Sequence, residues 1–174
     1  MTGAGSGSAE QLQRGLELGC AYLNQRDRTV SEVRLQLQRQ GVCEDLTEAV
    51  IQTFVEQRLL DDDRFARLFV SDKRALEQWG SERIRRGLLA RGIDRALADA
   101  ALAADGGGRD GPGDGGWGDV PESELDRALG LLRRRFPTPP EDRRERDRAL
   151  GVLLRKGYES ELALDALAAH ARGD

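Results

Sequence analysis

With 174 residues, 33% of them charged and only 5% aromatic, the chain has little material for one large apolar core and suits stacked amphipathic helices built on Leu and Ala. Its net charge of −4, from 27 basic and 31 acidic side chains, argues against an electrostatic grip on nucleic acid as the main activity. No apolar run approaches the roughly 18 residues of a membrane span, and Cys20 and Cys43 are too few for a disulfide scaffold and lack the clustered spacing of a zinc site. The expectation is a soluble, cytoplasmic, all-α protein whose two cysteines are reduced, packed thiols.

In chain order, the start MTGAGSGSA has neither a basic n-region nor an apolar h-region, and residues 1–9 are expected to be disordered. Residues 10–60 read as three helices. The first is EQLQRGLELGCAYLNQR, the second closes at Gly41, and the third carries an apolar stripe of Leu46, Ala49, Val50, Thr53 and Phe54. Residues 61–104 repeat the pattern from DDRFARLFVSDKRALEQ through a second helix that closes at Gly92. Residues 122–172 repeat it again, with Leu125, Ala128, Leu129, Leu132 and Phe136 at helical spacing and a glycine close at Gly157.

The three glycines are the register of the repeat. Each has Leu four residues before it (Leu37, Leu88, Leu153) and Leu five residues after it (Leu46, Leu97, Leu162), and each sits where a left-handed residue would end one helix before the next begins. The glycines are spaced 92 − 41 = 51 and 157 − 92 = 65 residues apart, and the excess of 14 is accounted for by the glycine-rich stretch 105–119. Residues 105–121 are predicted to be a flexible insertion; without a Gly-Lys-Ser/Thr ending or a preceding strand they do not form a phosphate loop. Nine helices in three units predict an elongated, curved array of three tandem three-helix repeats of helix-turn-helix type.

The charged residues offer several readings. Of Asp61, Asp62 and Asp63, either Asp61 or Asp62 is expected to cap the helix that follows, with the others favoured by its dipole, whereas adjacent aspartates on a first turn diverge too far to share a metal. The single histidine, His170, has no nucleophile motif near it, so no catalytic residue, metal or cofactor is assigned. Arg83, Arg85, Arg86 and Arg91 cluster on or beside the fifth helix and Arg133, Arg134 and Arg135 end the seventh; both groups could meet an acidic protein surface or DNA phosphates. Trp79 is placed at a helix junction. The only lysines, Lys73 and Lys156, reflect a bias toward Arg and carry no functional assignment. The candidate recognition helices 44–57 and 94–104 are net acidic, which argues against a major-groove reader.

RLLDDDRFARLFV, residues 58–70, followed by Arg74, Trp79, Gly80 and RIRRGLLARGI, closely resembles the central signature of the RecX family of recombination regulators. The matching positions are Leu59, Leu60, Asp61, Asp62, Phe65, Ala66, Phe69, Val70, Arg74, Trp79, Gly80, Arg83, Ile84, Leu88, Arg91, Gly92 and Ile93. Weaker similarity runs from about residue 11 to 170. Arg58 stands where the family usually has Gly, and Gly87 stands where it has a long polar residue. The resemblance implies tandem three-helix units that lodge in the groove of the RecA filament on DNA and restrain its ATP hydrolysis, strand exchange and co-protease activity. It makes RecA and the RecA–DNA filament the expected partners of a cytoplasmic, monomeric protein that takes part in DNA repair and the SOS response. Weak non-specific DNA contact is compatible with it, and Arg74 joins the candidate contact residues. The alternative is a helix-turn-helix-like DNA-binding protein acting without RecA; a passive helical scaffold is a third class.

Overall fold

The computed structural model describes residues 4–106 and 123–173. Among the described residues nine helices and no strand occur: α1 (Ala4–Leu23), α2 (Val30–Arg39), α3 (Glu44–Glu56), α4 (Asp62–Glu77), α5 (Ser81–Leu89), α6 (Arg95–Gly106), α7 (Glu124–Arg135), α8 (Arg143–Lys156) and α9 (Ser160–Arg172). They pack as three successive groups of three. In each group the first helix lies against the third (α1 on α3, α4 on α6, α7 on α9), and the second packs on the third.

Every group has its own apolar core. Val33, Leu37, Val50, Ile51, Phe54 and Leu60 form the first, Ala66, Val70, Ile84, Leu88, Ile93 and Ala98 the centre of the second, and Ala128, Leu132, Ala149, Leu153, Tyr158 and Ala163 the centre of the third. No cluster extends across two groups, so each unit is held by local burial and the array is assembled from separately cored pieces.

The glycine register has a precise physical origin. Gly41, Gly92 and Gly157 all take left-handed φ values of +79°, +78° and +89°. After each, the next amide reaches back to the carbonyl of the Leu four residues before the glycine: Val42 to Leu37, Ile93 to Leu88 and Tyr158 to Leu153, at 3.1–3.2 Å. This is the Schellman helix end, in which an apolar residue after the glycine packs on the one that accepts its bond. The repeated Leu is therefore both a core residue, fully buried in all three units, and the acceptor that closes the helix.

Arg58 preserves the same geometry without glycine. Its φ is +57°, and Leu59 N–H donates to Phe54 O at 2.8 Å, so α3 ends as a Schellman turn despite the Cβ.

Four expectations change. Helix α1 begins at Ala4, inside the segment expected to be disordered, because extending an existing helix costs far less than starting one. Helix α6 runs to Gly106, past the expected boundary at 104, and the rest of the glycine-rich insertion lies outside the described residues. The buried stripe of α3 is Thr47, Val50, Ile51 and Phe54, with Ala49 exposed, so the helix is rotated from the face assigned by spacing. Cys20 and Cys43 are exposed, not packed.

Candidate functional site

The three aspartates divide their work. Asp61 is the N-cap of α4 and accepts from Arg64 N–H at 2.8 Å. Asp63 pairs with Arg67 one turn on, at 2.8 Å. Asp62 turns the other way: its Oδ1 accepts from Val30 N–H at 2.9 Å, capping the start of α2 in the preceding unit. Burial pushes the Asp62 carboxyl above its ordinary value, with the Val30 amide opposing that shift. Asp62 is thus a staple between units.

The same junction is built a second time. Glu124, the first residue of α7 as Asp62 is of α4, accepts from Ser81 N–H at 2.8 Å and from Ser81 Oγ at 2.7 Å, and Ser81 is the first residue of α5 as Val30 is of α2. The carbonyl just before Gly92 and that just before Gly157 also accept from the previous unit. Thr29 Oγ donates to Arg91 O at 2.6 Å, and Gly80 N–H donates to Lys156 O at 2.8 Å. The glycines then meet the preceding helix start directly: a Cβ on Gly92 would lie 2.3 Å from Ser31 Cβ, and one on Gly157 would lie 2.3 Å from Arg83 Cβ. Gly80 is required for the same reason, since a Cβ there would sit 2.5 Å from the Gly157 carbonyl carbon. Gly41, which has no preceding unit, meets nothing within 4 Å.

Beside the second junction the structure gathers cations over aromatic rings. Phe65 and Phe69 stack at 6.1 Å, and Trp79 meets Phe69 edge-on at 6.5 Å. Arg83 lies 4.2 Å and Lys73 4.8 Å from the Trp79 ring centre, and Arg91 lies 4.8 Å from that of Phe69. Each ring holds its cation in place through the negative face of its π system. Arg83 also donates to Arg155 O at 2.9 Å, Arg91 to Gly87 O at 3.1 Å and Arg86 to Glu82 O at 3.3 Å, all of them backbone carbonyls. Glu77 is an acid within this group. It pairs with Lys73, its own carbonyl accepts from Lys156 Nζ at 2.6 Å, and the Lys73 bond, with the nearby charges of Lys73, Arg83 and Lys156, holds its carboxyl below the usual range. Gly87 leaves room for Phe69, whose ring edge would be 3.1 Å from a Cβ there.

The eight candidate arginines separate accordingly. Arg83 and Arg91 are held against the rings of Trp79 and Phe69, and Arg86 is exposed on α5, donating to Glu82 O. Arg85 is not available to a partner in the same way: it pairs with Asp99 at 2.6 Å and with Glu82. Arg74 is only 8% exposed, pairs with Asp105 and donates to Ser81 Oγ, so it supports the second junction from within. Arg133, Arg134 and Arg135 are exposed on the last turn of α7, with Arg134 donating to Gly130 O at 3.2 Å. Within the signature, Leu60, Ile84 and Leu88 are core and Leu59 is 47% exposed. Lys73, Arg155, Lys156, Thr29 and Glu124 were not singled out from sequence. Lys73 could have been, since it stands one helical turn after Phe69 on the same face. The rest depend on which units touch.

His170 is buried, with Nε2 2.9 Å from Phe136 O, and it ties α9 to the end of α7. Among the described residues no three metal-ligating side chains converge and no helix is long and apolar enough to cross a membrane.

Three-helix units, each with its own core and docked in series through a reused polar junction, define a tandem helical-repeat protein. Residues 61–102 match the second three-helix domain of RecX and residues 122–167 the third. The chain is 29% identical over 170 residues to the regulatory protein RecX of Mycolicibacterium vanbaalenii, covering 93% of this chain and 85% of that one. With its Mycobacterium avium counterpart it shares 29% over 165 residues, covering 93% and 86%. The match to the RecX of Halalkalibacterium halodurans, 34% over 93 residues, takes in 53% of this chain and only 35% of that longer protein. The crystal structure of RecX from Lactobacillus salivarius superposes with a TM-score of 0.75 at 20% identity, over 95% of this chain and 99% of that one. A second crystal structure, of a regulatory protein RecX, gives 0.70 at 25% identity over 91% and 72%. The chain belongs to the RecX family.

Proposed function

We propose that this chain is a cytoplasmic, non-catalytic regulator of homologous recombination and DNA repair that binds RecA filaments on DNA and restrains their ATP hydrolysis, strand exchange and co-protease activity. The observation that carries the reading is family membership along nearly the whole chain, joined to a fold made for extended contact. Units strung in series can touch several protomers of a filament, and linked weak contacts raise avidity by orders of magnitude when their spacing matches. The contact surface proposed is the cationic group of Arg83, Arg86 and Arg91 with Lys73 and Lys156, and Arg133, Arg134 and Arg135 form a secondary candidate. In a chain of net charge −4 the first group is built around two aromatic rings, Phe69 and Trp79, against which Lys73, Arg83 and Arg91 are held. Trp79 has cations against its ring, so base stacking is not assigned to it.

The test is ATP turnover by RecA-coated single-stranded DNA. The purified monomeric protein should slow it at concentrations where binding to bare duplex is barely detectable. Tight, sequence-selective duplex binding with no effect on RecA would instead support a helix-turn-helix DNA-binding protein, and no effect of either kind would leave a helical scaffold for another partner. The acidic first turn of α3, Glu44 and Asp45, favours the RecA reading over major-groove entry.

A further inference from the structure

The two junctions share a plan but not a strength. Among the described residues two hydrogen bonds cross from the first unit to the second, Thr29 Oγ to Arg91 O and Val30 N–H to Asp62. Seven cross from the second to the third. Ser81 gives two to Glu124, Gly80 N–H reaches Lys156 O, Glu82 N–H reaches Gly157 O at 3.2 Å, Arg83 reaches Arg155 O, Lys156 reaches Glu77 O and the Tyr158 hydroxyl reaches Gln78 O at 3.4 Å. Among the described residues no buried apolar cluster bridges either junction, so these bonds and the glycine contacts resist relative motion.

The first junction also has the marks of a joint. An open cleft there is lined by Val30, Val55, Arg58, Leu60, Asp61 and Asp62. Its connecting chain is a single step from Leu60, buried in the first core, to Asp61, the cap of α4. Just before it, Arg58 holds a left-handed backbone conformation; Gln78 at the second junction holds one too, but its carbonyl is tied across that junction by the Tyr158 hydroxyl. At the second junction backbone meets backbone at Gly80 and Gly157.

We infer that units two and three form one rigid body, while unit one turns on a joint at residues 58–62. The cations of α4, α5 and α8 then form a surface of fixed spacing, and unit one supplies a contact of variable direction. The inference stands on the junction geometry alone and is measured without RecA, so its failure and the failure of the regulatory reading are separate results.

The experiment is paired spin-label distance measurement in the full chain. One pair uses the native exposed Cys43 with Ala100→Cys on α6, in a Cys20→Ser background; the other uses Ala100→Cys with Ala168→Cys on α9, with both native cysteines replaced by Ser. A within-unit pair, Asp72→Cys with Ala100→Cys in that same background, sets the width due to the labels themselves. The distribution across the first junction should be at least twice as broad as the control, and that across the second should match the control. Asp62→Ala should broaden the first further and leave the second unchanged. Equal widths across both junctions, or a broader second one, would overturn the inference.

Discussion

Replacing each repeat glycine with alanine separates the helix-ending role of the glycine from its docking role. All three positions are left-handed, so alanine at any of them carries a backbone cost of about 1 to 2 kcal/mol. At Gly41 that is the whole cost, because nothing lies within 4 Å of the added methyl group. At Gly157 the methyl would fall 2.3 Å from Arg83 Cβ and 2.6 Å from Arg83 N, distances that only a separation of the two backbones can relieve. Separation weakens the bonds from Gly80 to Lys156 O, Glu82 to Gly157 O and Arg83 to Arg155 O, each worth about 0.5–1.5 kcal/mol net. Gly157→Ala should therefore cost about 3 to 6 kcal/mol in all, a large part of the roughly 5–15 kcal/mol that holds a typical domain. Gly92→Ala should fall between the two, since its methyl meets the Ser31 side chain and puts at risk the single Thr29 bond. Urea unfolding followed by far-ultraviolet circular dichroism gives the order, with any splitting of the transition read as uncoupling of units. If Gly157→Ala costs no more than Gly41→Ala, the docking role is wrong.

Further outcomes follow from the other contacts. Asp62→Ala leaves the Val30 amide without its cap and should cost about 1 kcal/mol, whereas Asp62→Asn keeps an acceptor and sheds the buried charge. Because burial raises the Asp62 pKa in the folded state, its ionised form lowers stability above that raised value, and the penalty fades as pH falls from the raised value to the unfolded carboxyl value. Asp62→Asn should accordingly match or exceed the parent melting temperature at neutral pH and lose any advantage in acid; an advantage that grows with acidity contradicts this sign. Replacing Arg83 and Arg86 together with Gln should lower the slope of log affinity against log salt for single-stranded DNA by about 1.4, and an unchanged slope removes them from phosphate contact. Both exposed cysteines should react with a thiol reagent in the native state at rates near those of the unfolded chain, and protection of either would contradict its placement.

The nine helices, their grouping in threes and the glycine that closes each second helix were legible from sequence, because helical period and left-handed helix ends are local properties of consecutive residues. That an aspartate of this cluster would cap α4 was legible for the same reason, as Asp61 and the Arg64 amide it accepts from are three residues apart. Which aspartate would serve another unit was not, since Asp62 and Val30 are 32 residues apart and meet only when the units dock. The arginines show the same divide. Arg74 and Arg85 look like Arg83 and Arg86 along the chain, but Asp105 and Asp99, brought close by the packing of α6, neutralise the first two. Local chemistry therefore determined each unit and its folding pattern. Only the tertiary structure decided how the units meet and which charges remain facing outward, because those depend on distances between residues that no spacing in the sequence encodes.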